Sequence, residues 1–258
     1  MKLLGLLSTG ILGVFIIGLA LFAAVYFSND ITGHVFMELK DKVVIITGGT
    51  RGLGKALALS FLKNGAKVVV CSRNEEGLKD LEKEIIGIKA DVTKEDELQK
   101  LLEFTIEKFS KLDIWINNAG IWLPHSLVEN FDMKKVKKMF DVNVFGSVNG
   151  SRVALRFFKK QGFGYIINII SDSALIGRPM SSTYSASKWA MNGFTKSVRE
   201  ENKNISIFSI YPSGIKTDIF GENRPDDFDS FMDPDFVADK IIENLKKDKP
   251  DEELIIKR

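Results

Sequence analysis

The chain carries one cysteine and two histidines in 258 residues. A lone Cys71 has no partner for an internal disulfide and rules out a cysteine cage, and two histidines far apart in sequence offer no ligand spacing, so no metal site is expected. An excess of charge of one sign is also missing. The 36 Lys and Arg stand against 34 Asp and Glu, a net charge of +2, which lacks the basic surplus of a polyanion binder and argues against a nucleic-acid partner. Neither an internal repeat nor a low-complexity tract is present. What remains is 45% hydrophobic and 27% charged, ample for a globular core. One domain plus an appendage is the economical reading.

The appendage is N-terminal. From Leu3 to Ser28, "LLGLLSTGILGVFIIGLALFAAVYFS" runs 26 residues without a charge, enough to cross a hydrocarbon core of about 30 Å as a helix. A cleaved signal peptide is the rival, but its apolar region is usually only about 7 to 15 residues and ends at small residues, whereas this run continues into "VYF". The expectation is a single-pass membrane protein in contact with the lipid bilayer through residues 3–28, with Tyr26 and Phe27 at the interface. Residues 1–28 are then an anchor, 29–41 a linker and 42–258 the functional domain. Flanking charges barely discriminate orientation; the expectation is a cytosolic domain, with a lumenal one as the alternative in a eukaryote.

From Lys42 onward short β-branched runs alternate with amphipathic segments. "KVVIIT", "KVVVCS", "IIGIKA", "LDIWIN", "GYIINII", "ISIFSI" and "ELIIK" have buried-strand character, and segments such as "GKALALSFLKNG" between them have helical spacing. Seven strands separated by helices predict an α/β fold: a single, doubly wound, Rossmann-like parallel sheet with helices on both faces.

Gly48, Gly52 and Gly54 follow the first strand and open the first helix. Backbone amides and the helix dipole attract phosphate there, and the missing Cβ permits close approach. The spacing is G-x-x-x-G-x-G, and by itself it reads equally well as a packing turn. Further along, "NNAG" ends the fourth strand, Asn143 sits in a long helical region, Ser171 lies thirteen residues before Tyr184, and "YSASK" puts Tyr184 and Lys188 four apart. Tyr and Lys at that spacing share a helix face. The Lys188 ammonium is therefore expected to lower the Tyr184 pKa from about 10 and make it a usable acid/base. Tyr184 and the Ser171 hydroxyl would then supply the proton and second hydrogen bond that a carbonyl oxygen needs as it accepts hydride. Ser173 in "ISDSA" is the competing hydroxyl.

These motifs, in this order, resemble the short-chain dehydrogenase/reductase family over essentially the whole span from Lys42 to Arg258. The resemblance implies that Lys188 also binds the nicotinamide ribose and that Asn143 completes a proton relay through water. It implies cofactor contacts from the glycine turn, Thr47, Gly48, Thr50, Arg51, Gly52, Leu53 and Gly54. Further contacts would come from Ser72 and Arg73 after the second strand, Asp91 and Val92 after the third (Asp91 at the adenine), and Asn118, Ala119 and Gly120 after the fourth. Tyr184 and Lys188 would add to these, with Pro212, Gly214, Ile215 and Thr217 after the sixth strand. Two positions depart from the pattern: Ser213 stands where a glycine commonly follows the proline, and Ile170 where a first serine often precedes the catalytic one.

Sites selective for NAD carry an acid near the end of the second strand, whereas a 2′-phosphate requires cations. Here that position reads Cys71-Ser72-Arg73, with Arg51 as a second guanidinium, so NADPH is expected over NADH. Either arginine taken alone also reads as a solvated side chain. The expected function is an oxidoreductase moving hydride between NADP(H) and a carbonyl or alcohol, apolar or lipid-like because of the anchor. The alternatives are a 3-oxoacyl thioester reductase and a non-catalytic NADPH-binding membrane protein. Trp122, Leu175, Ile176 and Met180 read equally as pocket lining and as core, His125 reads as a loop side chain, and homo-oligomerisation stays open.

Overall fold

The computed structural model describes residues 37–258. The chain divides into two units, Met1–Met37 and Glu38–Arg258, and the second is described here. Its seven strands are β1 (Val43–Thr47), β2 (Lys67–Ser72), β3 (Ile85–Lys89), β4 (Ile114–Asn117), β5 (Tyr165–Ile169), β6 (Ser206–Pro212) and β7 (Glu253–Ile256). They form one sheet in the order β3-β2-β1-β4-β5-β6-β7, parallel at every pairing. All five residues of β1 and all four of β4 are buried, as expected of central strands covered on both faces. The strand order reverses between β1 and β4, which opens a crevice at their carboxyl ends.

The helices follow from local signals. Helix α1 (Gly52–Lys63) starts directly behind the glycine turn, and a four-residue α2 (Glu76–Lys79) lies before β3. Helix α3 (Glu95–Phe109) opens on Glu95, Asp96 and Glu97, favourable beside the positive helix end, and stops where Ser110 turns left-handed at φ 60°. Asp132 caps α4 (Met133–Phe140) by accepting from the Lys134 amide at 2.9 Å. A π-helical turn, Asp141–Phe145, then leads into α5 (Gly146–Gln161). Helix α6 (Ser182–Glu201) follows β5, and α7 (Pro234–Leu245) precedes β7.

Alternation along the strands divides the core into two layers. Val43, Ile45, Val69, Trp115, Ile166 and Ile207 join Leu98, Leu101, Val153, Phe158 and Val198 in the layer under α3, α5 and α6, while α1 and α7 pack together. Cys71 belongs to the first layer, and its burial pushes the thiol up to about 12.

The membrane localisation expected above is corrected. Among the described residues no helix is long and apolar enough to cross a membrane; the longest, α6, runs 20 residues but is interrupted by Lys188, Lys196, Arg199, Glu200 and Glu201. The stretch 3–28 that motivated the expectation, with most of the linker, lies outside the described residues.

Candidate active site

The nucleotide crevice is built by backbone fit. Gly48 and Gly52 adopt φ of +67° and +52°, the left-handed region that favours glycine. A Cβ on Gly48 would come within 3.0 Å of the Ala119 Cα, and one on Gly52 within 3.1 Å of Thr217 Cγ2. The turn therefore fits between the segments after β4 and β6. Helix α1 has no acidic residue in its first turn, so the partial positive charge of its amino end, at Gly52, Leu53 and Gly54, is uncompensated by a carboxylate there.

Buried Thr47 fixes the floor. Its hydroxyl donates to the Ile116 carbonyl at 3.2 Å and accepts the amides of Asn118 and Ala119 at 3.0 and 3.1 Å. The Asn118 side chain donates to the carbonyls of Thr47 and Gly48. These two residues thus lock the ends of β1 and β4 together and use their polar atoms in doing so. Asn117 is buried and supports the sheet from below, accepting from Trp115 Nε1 and donating to Ser151 and Asn168.

At the far end of β2, Ser72 Oγ accepts from the Asn74 amide. Arg73 and Arg51 are exposed, and among the described residues neither has an ion pair or side-chain hydrogen bond. Thr50 lies against Gly77 of α2, where a Cβ on the glycine would reach the Thr50 Cβ at 3.0 Å. Asp91 Oδ1 accepts from the Thr93 amide and hydroxyl at 3.0 and 2.9 Å. The Val92 carbonyl accepts from Asn149 Nδ2 at 3.1 Å.

The candidate reacting groups gather at the carboxyl end of β5. Ser171 follows that strand and accepts the Ser173 amide at 3.1 Å, so Ser173 acts through its backbone. It is the Ser171 side chain that opposes the rise in the Tyr184 pKa, with Tyr184 on the first turn of α6. One turn on, Lys188 is 7% exposed, donates from Nζ to the Ile169 carbonyl at 3.3 Å, and has Nζ 5.6 Å from the Tyr184 ring centre. A Cβ on Gly120 would be 4.0 Å from that Nζ and 3.4 Å from Asn143 Oδ1, which ties Gly120 to both groups.

Asn143 sits in the π-helical turn, where the extra residue per turn lets it face the β4 end. Its Oδ1 accepts the Ile121 amide at 2.8 Å and its Nδ2 donates to the Ile121 carbonyl at 2.9 Å and to Ser187 Oγ at 3.3 Å. The side chain clamps the loop after Gly120.

The electrostatics differ from the sequence expectation. Burial pushes the Tyr184 phenol up to about 12; the Ser171 side chain opposes this, the Asp172 charge adds to it, and Arg178 opposes it. Lys188 is itself held down at about 8 by burial. The expected lowering of Tyr184 by Lys188 does not hold: burial dominates and moves the phenol upward instead.

After β6, Pro212 ends the strand and Ser213 Oγ donates to Asp172 Oδ2 at 2.7 Å. Gly214 lies against the Phe231 ring with no room for a Cβ. Ile215 makes an isolated parallel bridge to Met232, so the segment leaves the sheet and returns to it. Between these points Phe220, Phe228 and Phe231 contact one another at 5.7 to 5.8 Å, and Phe220 meets Trp122 at 5.1 Å. His125 is exposed and packs edge-on to Trp122. Leu175 packs on the buried Ile170–Ala174–Met191–Tyr211 cluster, while Ile176 and Met180 are about half exposed. Sequence reasoning missed Asp172 and Arg178, whose only signal was charge close to Ser171 in the sequence.

A crevice at the point where the strand order reverses, with a Ser, Tyr and Lys near its edge, is the arrangement expected of an oxidoreductase of the alcohol/carbonyl class. The family model described as short chain dehydrogenase matches residues 42–227, and the chain belongs to the short-chain dehydrogenase/reductase family. It is 34% identical over 234 residues to the uncharacterized oxidoreductase YxnA of Bacillus subtilis, covering 82% of this chain and 65% of that protein. It is 37% identical to L-fucose dehydrogenase of Mus musculus, over 70% of this chain and 68% of that one. Among solved structures, ElxO with NADP bound superposes with a TM-score of 0.74 at 31% identity, covering 84% of this chain and 97% of the other. The 3-ketoacyl-(acyl-carrier-protein) reductase of Brucella melitensis complexed with NADH gives 0.77 at 26% identity, with the same coverage.

Proposed function

We propose that the protein is an NADPH-dependent reductase of a carbonyl compound, with Tyr184 as the proton donor. The observation that carries the reading is the gathering of Ser171, Tyr184 and buried Lys188 at the carboxyl end of β5, with Lys188 Nζ donating to the Ile169 carbonyl and lying 5.6 Å from the Tyr184 ring centre. A nicotinamide cofactor, when bound, supplies the hydride. The glycine turn and the amino end of α1 suit its phosphates. The unpaired guanidinium groups of Arg51 and Arg73 suit a 2′-phosphate, and no acid stands at Cys71-Ser72-Arg73 to favour a free 2′-hydroxyl. ElxO binds NADP and the Brucella reductase NADH, so the preference rests on the arginines of this chain.

Ser171 would turn its hydroxyl proton from Asp172 Oδ1 to the substrate oxygen as negative charge grows there, and Tyr184 would hand over its proton. A phenol held near 12 is fully protonated at neutral pH, the form that carbonyl reduction needs. Lys188, cationic below about 8, would then stabilise the phenolate left behind. Asn143 holds the Ile121 loop at the edge of the same site. The apolar substrate expected earlier rested on the anchor and loses that support with it. The names of the relatives suggest sugar lactols and 3-oxoacyl thioesters as classes to try. The test is NADPH oxidation by the purified protein against lipid ketones, aldehydes, 3-oxoacyl thioesters and sugars. Turnover that is lost in Tyr184→Phe supports the reading; no turnover of any carbonyl with either nucleotide overturns it.

A further inference from the structure

Asp172 is a carboxylate in a place that the family pattern does not explain. Its side chain is 9% exposed, it adjoins Ser171, and its oxygens are shared among three segments of the chain. Ser171 Oγ donates to Oδ1 at 3.4 Å from the same turn. Arg178 Nη2 donates to Oδ2 at 2.7 Å from the loop that leads to Tyr184. Ser213 Oγ donates to Oδ2, also at 2.7 Å, from the end of β6. Ser213 is the residue that stands in a glycine's place, and here its hydroxyl has a specific partner. A buried carboxylate requires such donors, since leaving it unpaired is costly.

We propose that Asp172 is a positioning residue for the reaction, orienting the Ser171 hydroxyl beside Tyr184, and that Arg178 and Ser213 are the struts that hold it. This role rests on the reductase reading above. The geometry gives it two consequences. First, the turn after β5, the loop before α6 and the start of the segment after β6 share one carboxylate, so a change at Ser213 reaches Ser171 without touching it. Second, the ion pair faces the phenol: the groups around Tyr184 are Ser171 and Asp172 from the β5 turn, Arg178 from the following loop and Lys188 from α6. Asp172 raises the phenol's proton affinity and Arg178 lowers it. Removing the carboxylate's charge alone must move the phenol's ionisation acidward, which a purely structural brace would not do.

The test compares the full-length protein with Asp172→Asn, Ser213→Gly and the double variant. Nucleotide fluorescence gives NADPH affinity, reduction of 4-nitrobenzaldehyde gives kcat and KM, and phenol absorbance with Tyr184→Phe subtracted gives the ionisation of Tyr184. The expected result is unchanged NADPH affinity and a kcat in Asp172→Asn lower by about tenfold to 100-fold, the size of effect that small misplacements produce. Tyr184 ionises at lower pH in that variant. Ser213→Gly loses less and adds nothing to Asp172→Asn, because it acts through the same carboxylate. Wild-type kcat and an unmoved phenol in Asp172→Asn overturn the proposal, as does a Ser213→Gly loss that is undiminished in the double variant. If Asp172→Asn does not fold, Ser213→Gly decides alone by kcat and the phenol titration. A wild-type protein inactive on every carbonyl sinks the reductase reading and the positioning role with it, whereas an active wild type with an unaltered Asp172→Asn sinks the positioning role alone.

Discussion

A Cβ placed on Gly54 would collide with the carbonyl oxygen of Gly48, six residues earlier and across the nucleotide turn. The first turn of α1 can close on β1 only if Gly54 has no side chain. Gly54→Ala is therefore expected to displace the turn, at an overpacking cost of about 1–3 kcal/mol. Thermal unfolding should drop by several degrees and NADPH binding should weaken at least tenfold. Unaltered binding would mean that the turn has more room than its backbone suggests.

Tyr184→Phe removes one hydroxyl from the site and leaves the glycine turn, Arg51 and Arg73 untouched. Carbonyl reduction should fall by about 10²–10⁴, the usual contribution of a positioned proton donor, while NADPH affinity stays within about twofold. Near-normal turnover in this variant would assign the proton to another residue.

Arg51→Ala combined with Arg73→Ala tests the 2′-phosphate assignment. Each charge-assisted hydrogen bond is worth about 1.5–3 kcal/mol, so the Kd for NADPH should rise tenfold or more while that for NADH hardly changes. Equal losses for the two nucleotides would show the arginines to be solvated bystanders.

The pH profile follows from Lys188. Burial holds its pKa at about 8, so the cation is present below that pH and is lost above it, whereas Tyr184 keeps its proton to about 12. Carbonyl reduction should be fastest below about 8 and decline as pH rises through it. In Lys188→Arg the guanidinium stays charged, and whatever activity survives should lack this decline. A wild-type profile flat through that range would remove the Lys188 charge from the mechanism.

The sheet was legible in the sequence because each strand is a short apolar run bounded by polar turns, and a parallel sheet buried on both faces produces that pattern. Ser171, Tyr184 and Lys188 were legible by their separations along the chain, and the structure brings them together. Asn143 was placed on a helix, but helical periodicity has no signature for the π turn that aims it at Ile121. Asp172 looked like filler because its partners are 6 and 41 residues away; only folding brings them within reach. Ser213 read only as a departure from the family pattern, whereas with Asp172 in view its hydroxyl has a hydrogen-bonding partner. The proton affinity of Tyr184 was misjudged because desolvation depends on everything packed around the phenol, which no spacing between two residues encodes.

Cys71 has a practical consequence. It is the chain's sole thiol, buried on β2, the strand next to the sheet edge, and with its proton held to about 12, so a thiol-reactive dye finds no nucleophile in the folded protein. Exposure of β2 would switch that nucleophile on. The native sequence thus contains its own chemical stopwatch for unfolding, readable as colour, and any ligand that closes the crevice should slow it.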